Sequence, residues 1–407
     1  MRMALLKRIT AMLMCPVLLM SGLVFSASAT DGWWFAPMLE AEATLKEDKD
    51  APLRDTLELN CKSAILMEAN TGKILYEQNA DEALPPASVT KVMTLLLVME
   101  AIDGGKIKLD DTVTASAHAA SMGGSQIFLK EGEQMSVEDM LKSVVIASAN
   151  DAACALAEFV SGSESAFVKA MNERAAELGM KNTAFENTNG LDDTAENHLT
   201  SARDIAIMSR ELIKHKKILE YSSIWMDTVR NGLFGLTNTN RLVRYYKGCT
   251  GLKTGSTSKA GFCISATAER DGMSLIAVIM GAPDRDVRNT EAAKLLDFGF
   301  ANFGIYTHTP ERLDPIKVTG GKQDNASVSY CGFSYIGEKS SLKNIKCDYR
   351  IPESVAAPVK QGDKVGEAVF TLDGREIGRV DIVADCDVER LGYFGVFLRM
   401  LGRFLMK

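Results

Sequence analysis

Two hydrophobic periods alternate along this chain. Ala64-Ile-Leu-Met-Glu and Lys73-Ile-Leu-Tyr-Glu are strand-like runs on either side of Asn70-Thr-Gly, so a β-hairpin is predicted there. Pro85 and Pro86 then block a helix, and residues 88 to 101 read as helical until Gly104 and Gly105 stop them. Val92, Met93, Leu95, Leu96, Leu97, Val98 and Met99 leave that helix almost no polar face, which predicts burial on most sides. After a Gly-Gly-Ser-Gln loop at 123 to 126, Ser136-Val-Glu-Asp has the pattern of a helix start with Asp139 in the capping position. Further helices are predicted at 151 to 160, 165 to 178 and 201 to 214.

From residue 251 the period shortens. Phe262-Cys-Ile-Ser-Ala-Thr-Ala, an Arg-Asp-Gly turn and Ser274-Leu-Ile-Ala-Val-Ile-Met-Gly predict two antiparallel strands, closed by a helix at about 286 to 300. Strands at both ends with helices between them imply an α/β layer structure whose first hairpin joins the last strands in one sheet. Beyond Pro310 the chain is strand-rich and polar, with its clearest hairpin pattern from Gly362 to Val380; residues 306 to 388 are read as a separate small β domain.

The two ends carry different patterns. Arg2, Lys7 and Arg8 precede an apolar stretch from Ile9 to Phe25 and then Ser-Ala-Ser-Ala, so residues 1 to 29 are expected to be a secretory signal peptide, followed by a charged leader at 30 to 55. Met14 before Cys15 is too large for a lipoprotein signal. In residues 391 to 407, turned about 100° per residue, Leu391, Tyr393, Phe394, Phe397, Leu398, Met400, Leu401, Phe404 and Leu405 fill one half, and Arg399, Arg403 and Lys407 fall on the other. This is too short and too charged to span a bilayer, which takes about 20 apolar residues. An amphipathic helix from 389 to 407 lying in a membrane interface is expected.

The length of 407 residues suits two or three domains, and a net charge of -7 with no long basic run argues against nucleic acid as a partner. Of eight cysteines, seven follow the signal sequence; their spacing matches neither a zinc site nor a disulfide scaffold, and they are read as small buried hydrophobes.

Candidate chemistry starts at Ser88-Val-Thr-Lys91. Ser-x-x-Lys also occurs at Ser256/Lys259 and Ser340/Lys343, so spacing alone decides nothing. The first copy opens the buried helix, where serine and lysine three apart are neighbours and where lysine is normally excluded. Sixty residues later comes Ser148-Ala-Asn150, the only Ser-x-Asn, and then Lys253-Thr254-Gly255, the only Lys-Thr-Gly. The four histidines, His118, His198, His215 and His308, lie near none of these motifs in sequence, so lysine is the available base for a serine nucleophile.

This ordered trio resembles the active-site serine penicillin-recognising enzymes. More narrowly, residues from about 57 to 389 resemble a low-molecular-mass penicillin-binding protein, a serine D-alanyl-D-alanine carboxypeptidase of the peptidase S11-like family. Thr188-Asn-Gly-Leu, Glu291-Ala-Ala-Lys-Leu-Leu-Asp-Phe-Gly-Phe and Ala357-Pro-Val-Lys-Gln-Gly-Asp-Lys-Val-Gly match further landmarks of that family. The resemblance implies an α/β penicillin-binding domain at 56 to 305, an antiparallel sheet with flanking helices, followed by the all-β domain and the amphipathic helix. It implies Ser88 as nucleophile, Lys91 as its base, Ser148 as proton carrier to the leaving amine, and Asn150 as the holder of Lys91 and the substrate amide. Lys253 would stabilise charge, Thr254 and Arg288 would read the substrate carboxylate, Gly255 would admit the substrate backbone, and the N–H groups of Ser88 and Ser256 would form the oxyanion hole. No cofactor or metal is implied. The expected partners are peptidoglycan stem peptides, beta-lactams as inhibitors, and the outer face of the cytoplasmic membrane. A DD-endopeptidase would use the same residues; a class A beta-lactamase would need a Glu-x-x-Leu-Asn string, which does not occur. A wall-binding protein with a relic site is disfavoured because every catalytic side chain is present.

Overall fold

The computed structural model describes residues 57–191 and 195–405. The expected signal peptide and leader lie outside them.

The central sheet has five antiparallel strands in the spatial order Ile74–Gln78, Ser63–Glu68, Met273–Ala282, Gly261–Arg270 and Cys249–Thr257. The predicted first hairpin therefore does join the last strands. Because side chains alternate across a strand, Leu66, Ile264, Ala266, Leu275 and Ile279 face one side, where Leu295 and Leu296 of the helix Arg285–Asn302 cover them. Ile65, Met67, Ile276, Val278 and Met280 face the other side and pack under the remaining helices. Both faces are dry, which explains why residues 274 to 281 read as an unbroken apolar run instead of an alternating one.

The helix predicted after the two prolines begins with a single 3-10 turn, Ala87–Thr90, and continues as Lys91–Asp103. Val92, Met93, Leu95, Leu96, Val98 and Met99 are all buried, as its lack of a polar face requires. It is surrounded by the helices Asn150–Ser161, Glu164–Glu177 and Ala202–Leu212. The helix Val137–Ile146 starts as predicted, its Ser136 Oγ accepting the Asp139 N–H at 3.1 Å. Between 216 and 250, where no element is predicted, the chain forms the helix Lys216–Ser222, the hairpin Met226–Val229 with Phe234–Thr237, and one helical turn, Leu242–Tyr245. These pieces are too short to show a period.

The last strand of the catalytic region, Phe303–His308, already pairs with Phe333–Glu338 beyond Pro310. The β-rich part then builds a four-stranded sheet, Val328–Tyr330, Arg375–Ala384, Lys364–Leu372 and Ile345–Arg350, around its own core. Phe370 is fully buried there and stacks on Phe333 at 4.0 Å between ring centroids. The chain's final helix, Tyr393–Leu405, turns Tyr393, Phe394, Phe397, Met400, Phe404 and Leu405 to the outside. Its Arg399 donates to the carbonyls of Gly321 and Lys322 and pairs with Asp324 at 2.9 Å. No helix among the described residues is long and apolar enough to cross a membrane.

The separate core makes a prediction. Phe370→Ala should destabilise the β-rich part by about 3–5 kcal/mol, seen as faster hydrogen exchange in strands Lys364–Leu372 and Arg375–Ala384. Amides of the five-stranded sheet should keep their protection; equal loss in both would mean that the two cores unfold as one.

Candidate active site

The three motifs meet where the 3-10 turn, the junction before the Asn150–Ser161 helix, and the Cys249–Thr257 edge strand converge. Lys91 is fully buried, and its Nζ donates to Ser88 Oγ at 2.9 Å and to the carbonyl oxygen of Asn189 at 2.8 Å. Desolvation, and then the nearby Lys253 cation, hold its pKa well below the ordinary lysine value, while Asp151 pulls the other way. A neutral amine keeps two N–H groups and one lone pair. With the Asn189 carbonyl occupying one N–H, the neutral amine can turn its lone pair to Ser88, the contact then reversing so that the hydroxyl donates.

Lys253 is also buried; its Nζ donates to Ser148 Oγ at 2.8 Å and to the Thr254 carbonyl at 2.9 Å. Burial, and secondarily the Arg288 guanidinium, bring its pKa down to about 7. Arg288 is only 3% exposed, so it is not a solvent-facing helix arginine. It sits in the first turn of its helix, donating to Asn289 Oδ1 at 3.0 and 3.1 Å, and burial with Arg285 beside it lowers its pKa to about 10. Lys253 thus disfavours charge on Lys91 and Arg288 disfavours charge on Lys253, and among the described residues none of the three basic groups is paired with a carboxylate. Thr254 Oγ1 donates to Thr239 Oγ1 at 2.8 Å.

The turn and the strand touch closely. A Cβ on Gly255 would come within 2.8 Å of Ser88 N and Pro86 O, so only glycine lets the strand run against the Ser88 turn. Ala87 and Ser148 hold left-handed backbone conformations, φ 49° and 62°, each costing about 1–3 kcal/mol for a residue other than glycine. In both cases the strained residue is part of, or next to, a motif serine.

One expected contact is not made. Asn150 does not hold Lys91; its Nδ2 donates to the Gly123 carbonyl at 2.7 Å, and its buried Oδ1 has no partner among the described residues. The reason is that the Asn189 carbonyl takes the place beside Lys91 instead. The free Oδ1 remains an acceptor for an amide N–H.

Sequence reasoning missed the supports. His198 is far from every motif in sequence, yet its Nε2 lies 2.7 Å from Thr90 Oγ1, inside Ser88-Val-Thr-Lys91. Its Nδ1 accepts the Glu186 N–H at 3.0 Å, so Nε2 carries the proton and donates to Thr90, whose hydroxyl donates in turn to the Ala87 carbonyl at 2.8 Å. Asp151 is fully buried and accepts the backbone N–H groups of Ile127, Leu129 and Ala152, which pins the 123 to 129 loop onto the Ser148 junction. Of the other two Ser-x-x-Lys copies, Ser256 has an exposed side chain near the end of the Cys249–Thr257 strand, and Ser340 sits in the short helix Lys339–Leu342 of the β-rich part. Of the seven cysteines among the described residues only Cys154 and Cys263 are buried, so the expectation of small buried hydrophobes holds for these two alone; Cys331 is exposed and the other four are half-buried, all with free thiols.

The geometry can be set beside known proteins. Residues 47–284 match the Peptidase S11 family model, described as D-alanyl-D-alanine carboxypeptidase, and residues 311–390 match the penicillin-binding protein 5 C-terminal domain. The chain belongs to the D-alanyl-D-alanine carboxypeptidase family. It is 42% identical over 361 residues to the D-alanyl-D-alanine carboxypeptidase DacF of Bacillus subtilis, covering 87% of this chain and 92% of that one. Among solved structures it is similar to penicillin-binding protein 5 of Haemophilus influenzae, with 32% identity, a TM-score of 0.70, and coverage of 82% of this chain and 99% of that one. The ampicillin-bound penicillin-binding protein D2 of Listeria monocytogenes matches 60% of this chain and 99% of its own, at 34% identity and a TM-score of 0.56. The α/β catalytic fold with an all-β C-terminal domain is thus that of the penicillin-binding carboxypeptidases.

Behind Ser88 the packing leaves no slack. A Cβ on Gly190 would lie 1.8 Å from the Ala87 carbonyl oxygen, at a glycine with φ of 82°. Gly190→Ala must therefore push the Ser88 turn or the Asn189 carbonyl aside. Penicillin acylation should fall by about 100-fold, the scale of an ångström's misplacement; near-normal acylation kinetics would show that the turn tolerates the shift.

Proposed function

We propose that this protein removes the terminal D-alanine from peptidoglycan stem pentapeptides through an acyl-enzyme on Ser88, and that penicillin acylates the same serine. The observation that carries this reading is a serine hydroxyl 2.9 Å from a fully buried lysine whose charged form is disfavoured. Lys91 takes the Ser88 proton as the oxygen attacks the carbonyl carbon of the penultimate D-alanine. The N–H groups of Ser88 and Ser256 receive the oxyanion. Collapse breaks the peptide bond, and the proton travels from Lys91 through Ser148 to the leaving amine of D-alanine. Water, deprotonated by Lys91, then cleaves the ester. Asn150 Oδ1 accepts from the substrate amide, Gly255 admits its backbone, and Lys253, Thr254 and Arg288 hold the terminal carboxylate, which supplies the missing anion. With a β-lactam the leaving group stays tethered to the acyl-enzyme.

The same reading places the protein on the outer face of the cytoplasmic membrane. The outward apolar side chains of the helix Tyr393–Leu405, with Arg399 turned to the β-rich part, support an interfacial anchor.

Ser88→Ala should abolish covalent labelling by penicillin and D-alanine release from a pentapeptide ending in D-Ala-D-Ala; labelling that persists at Ser256 or Ser340 would assign the wrong serine. A cross-linked dimer assayed in parallel reads out endopeptidase activity. Because the active form of Lys91 is neutral, acylation should be lost as pH falls through its lowered pKa and recover as pH rises through it. Lys91→Arg, which stays protonated, should cost about 10²- to 10⁴-fold. Truncation after Arg390 should leave activity on a free peptide unchanged and abolish sedimentation with anionic vesicles; full-length protein that fails to sediment would remove the anchor.

A further inference from the structure

A second cluster of reactive side chains lies on the helical side of the catalytic domain. Cys154 and Glu158 are four apart on the helix Asn150–Ser161 and so share a face, and His118 comes from the short helix Ala117–Ala120 packed against it. One donor atom from each of the three lies within 4.8 Å of the others. Glu164, at the start of the next helix, brings Oε2 to 2.7 Å from His118 Nε2, so a second carboxylate is within reach. Cys154 is fully buried, Glu158 half-buried and His118 exposed, which gives the cluster a closed floor and an open side. Among the described residues the Glu158 carboxylate has no hydrogen bond or ion pair to explain its orientation.

We propose that His118, Cys154 and Glu158 bind a zinc-class divalent transition metal. Sulfur and imidazole nitrogen donors select such ions over magnesium or calcium, which take oxygen ligands. Tetrahedral zinc with bonds of about 2.0–2.3 Å sets its ligands about 3.3–3.8 Å apart. Small side-chain rotations bring the three donors to that spacing, and the exposed histidine can swing in last. Binding replaces the thiol proton, which goes to solvent, and leaves a thiolate on the metal. The two carboxylates beside the thiol favour the ion electrostatically.

The site is wired to the catalytic one. Glu164 Oε1 accepts from Thr188 N at 3.1 Å and from Thr188 Oγ1 at 2.7 Å, and the next residue, Asn189, provides the carbonyl that holds Lys91. A metal drawing on His118 and Glu164 would brace the 187 to 191 segment. The ligation itself requires nothing of Ser88.

The test uses the chain without added histidines. After exposure to Zn²⁺ and gel filtration, elemental analysis should find about one zinc per chain, and Co²⁺ substitution should give visible tetrahedral d–d bands and a near-ultraviolet thiolate-to-cobalt band. Folded Cys154→Ala should lose both, while Cys331→Ala, which removes the exposed thiol, should lose neither. His118→Ala and Glu158→Gln should weaken cobalt binding by about 10- to 100-fold or more, since even outer-shell changes have effects on that scale. A chelator should lower the melting temperature of the wild type and leave Cys154→Ala unmoved. Wild-type protein that retains no metal, or binds it without a thiolate band, overturns the proposal. So does a cobalt band that survives in Cys154→Ala. If that variant fails to fold by circular dichroism, the surface variant His118→Ala decides, and unchanged cobalt affinity there overturns the proposal. Penicillin labelling of the same samples separates this outcome from any failure of the Ser88 reading.

Discussion

A lysine enclosed in protein, 2.9 Å from a serine hydroxyl, is the constraint that organises this active-site domain. Keeping an ammonium dry is expensive, so the group gives up its proton more readily than in water, and the surroundings must then point its lone pair. Three neighbours do that. The Asn189 carbonyl takes one N–H, the 3-10 turn places Ser88 on the same side of the helix, and Gly190 and Gly255 let backbone close on that turn from two directions. Each supports a geometry that a flexible lysine would not adopt alone.

The remaining charges extend the same logic. Arg288 depresses Lys253, and Lys253 depresses Lys91. A row of buried basic groups is unfavourable when charged, and among the described residues no carboxylate pairs with any of the three. Asp151 favours the charged form of Lys91 from a distance while its oxygens accept the backbone N–H groups of Ile127, Leu129 and Ala152. An anion bound beside these groups would relieve that repulsion.

The supports behind the catalytic groups are less conspicuous. His198 fixes Thr90 within the Ser88-Val-Thr-Lys91 motif, and Glu164 fixes Thr188 beside the Asn189 carbonyl that accepts from Lys91. Both side chains belong to segments that carry no motif. Glu164 also faces His118 and the Cys154 thiol, so one carboxylate joins the catalytic wall to the proposed metal ligands.

What the sequence determined by itself was local or one-dimensional. The Ser88–Lys91 neighbourhood follows from a three-residue spacing on a helix, the Ser136 cap from its own next three residues, and the antiparallel strands at 261–270 and 273–282 from their apolar runs around an Arg-Asp-Gly turn. The order of the three motifs carried the family, and with it the α/β domain and the all-β domain. Short elements between 216 and 245 left no trace because a hairpin of four-residue strands contains hardly one period. Tertiary packing alone decided that the Asn189 carbonyl and not Asn150 would meet Lys91, that His198 would reach Thr90 across 108 positions, and that His118 would meet Cys154 and Glu158. Spacing along the chain fixes which side chains share a turn. Which turns then touch is set by how dry faces from distant segments close on one another, and no local pattern encodes that distance.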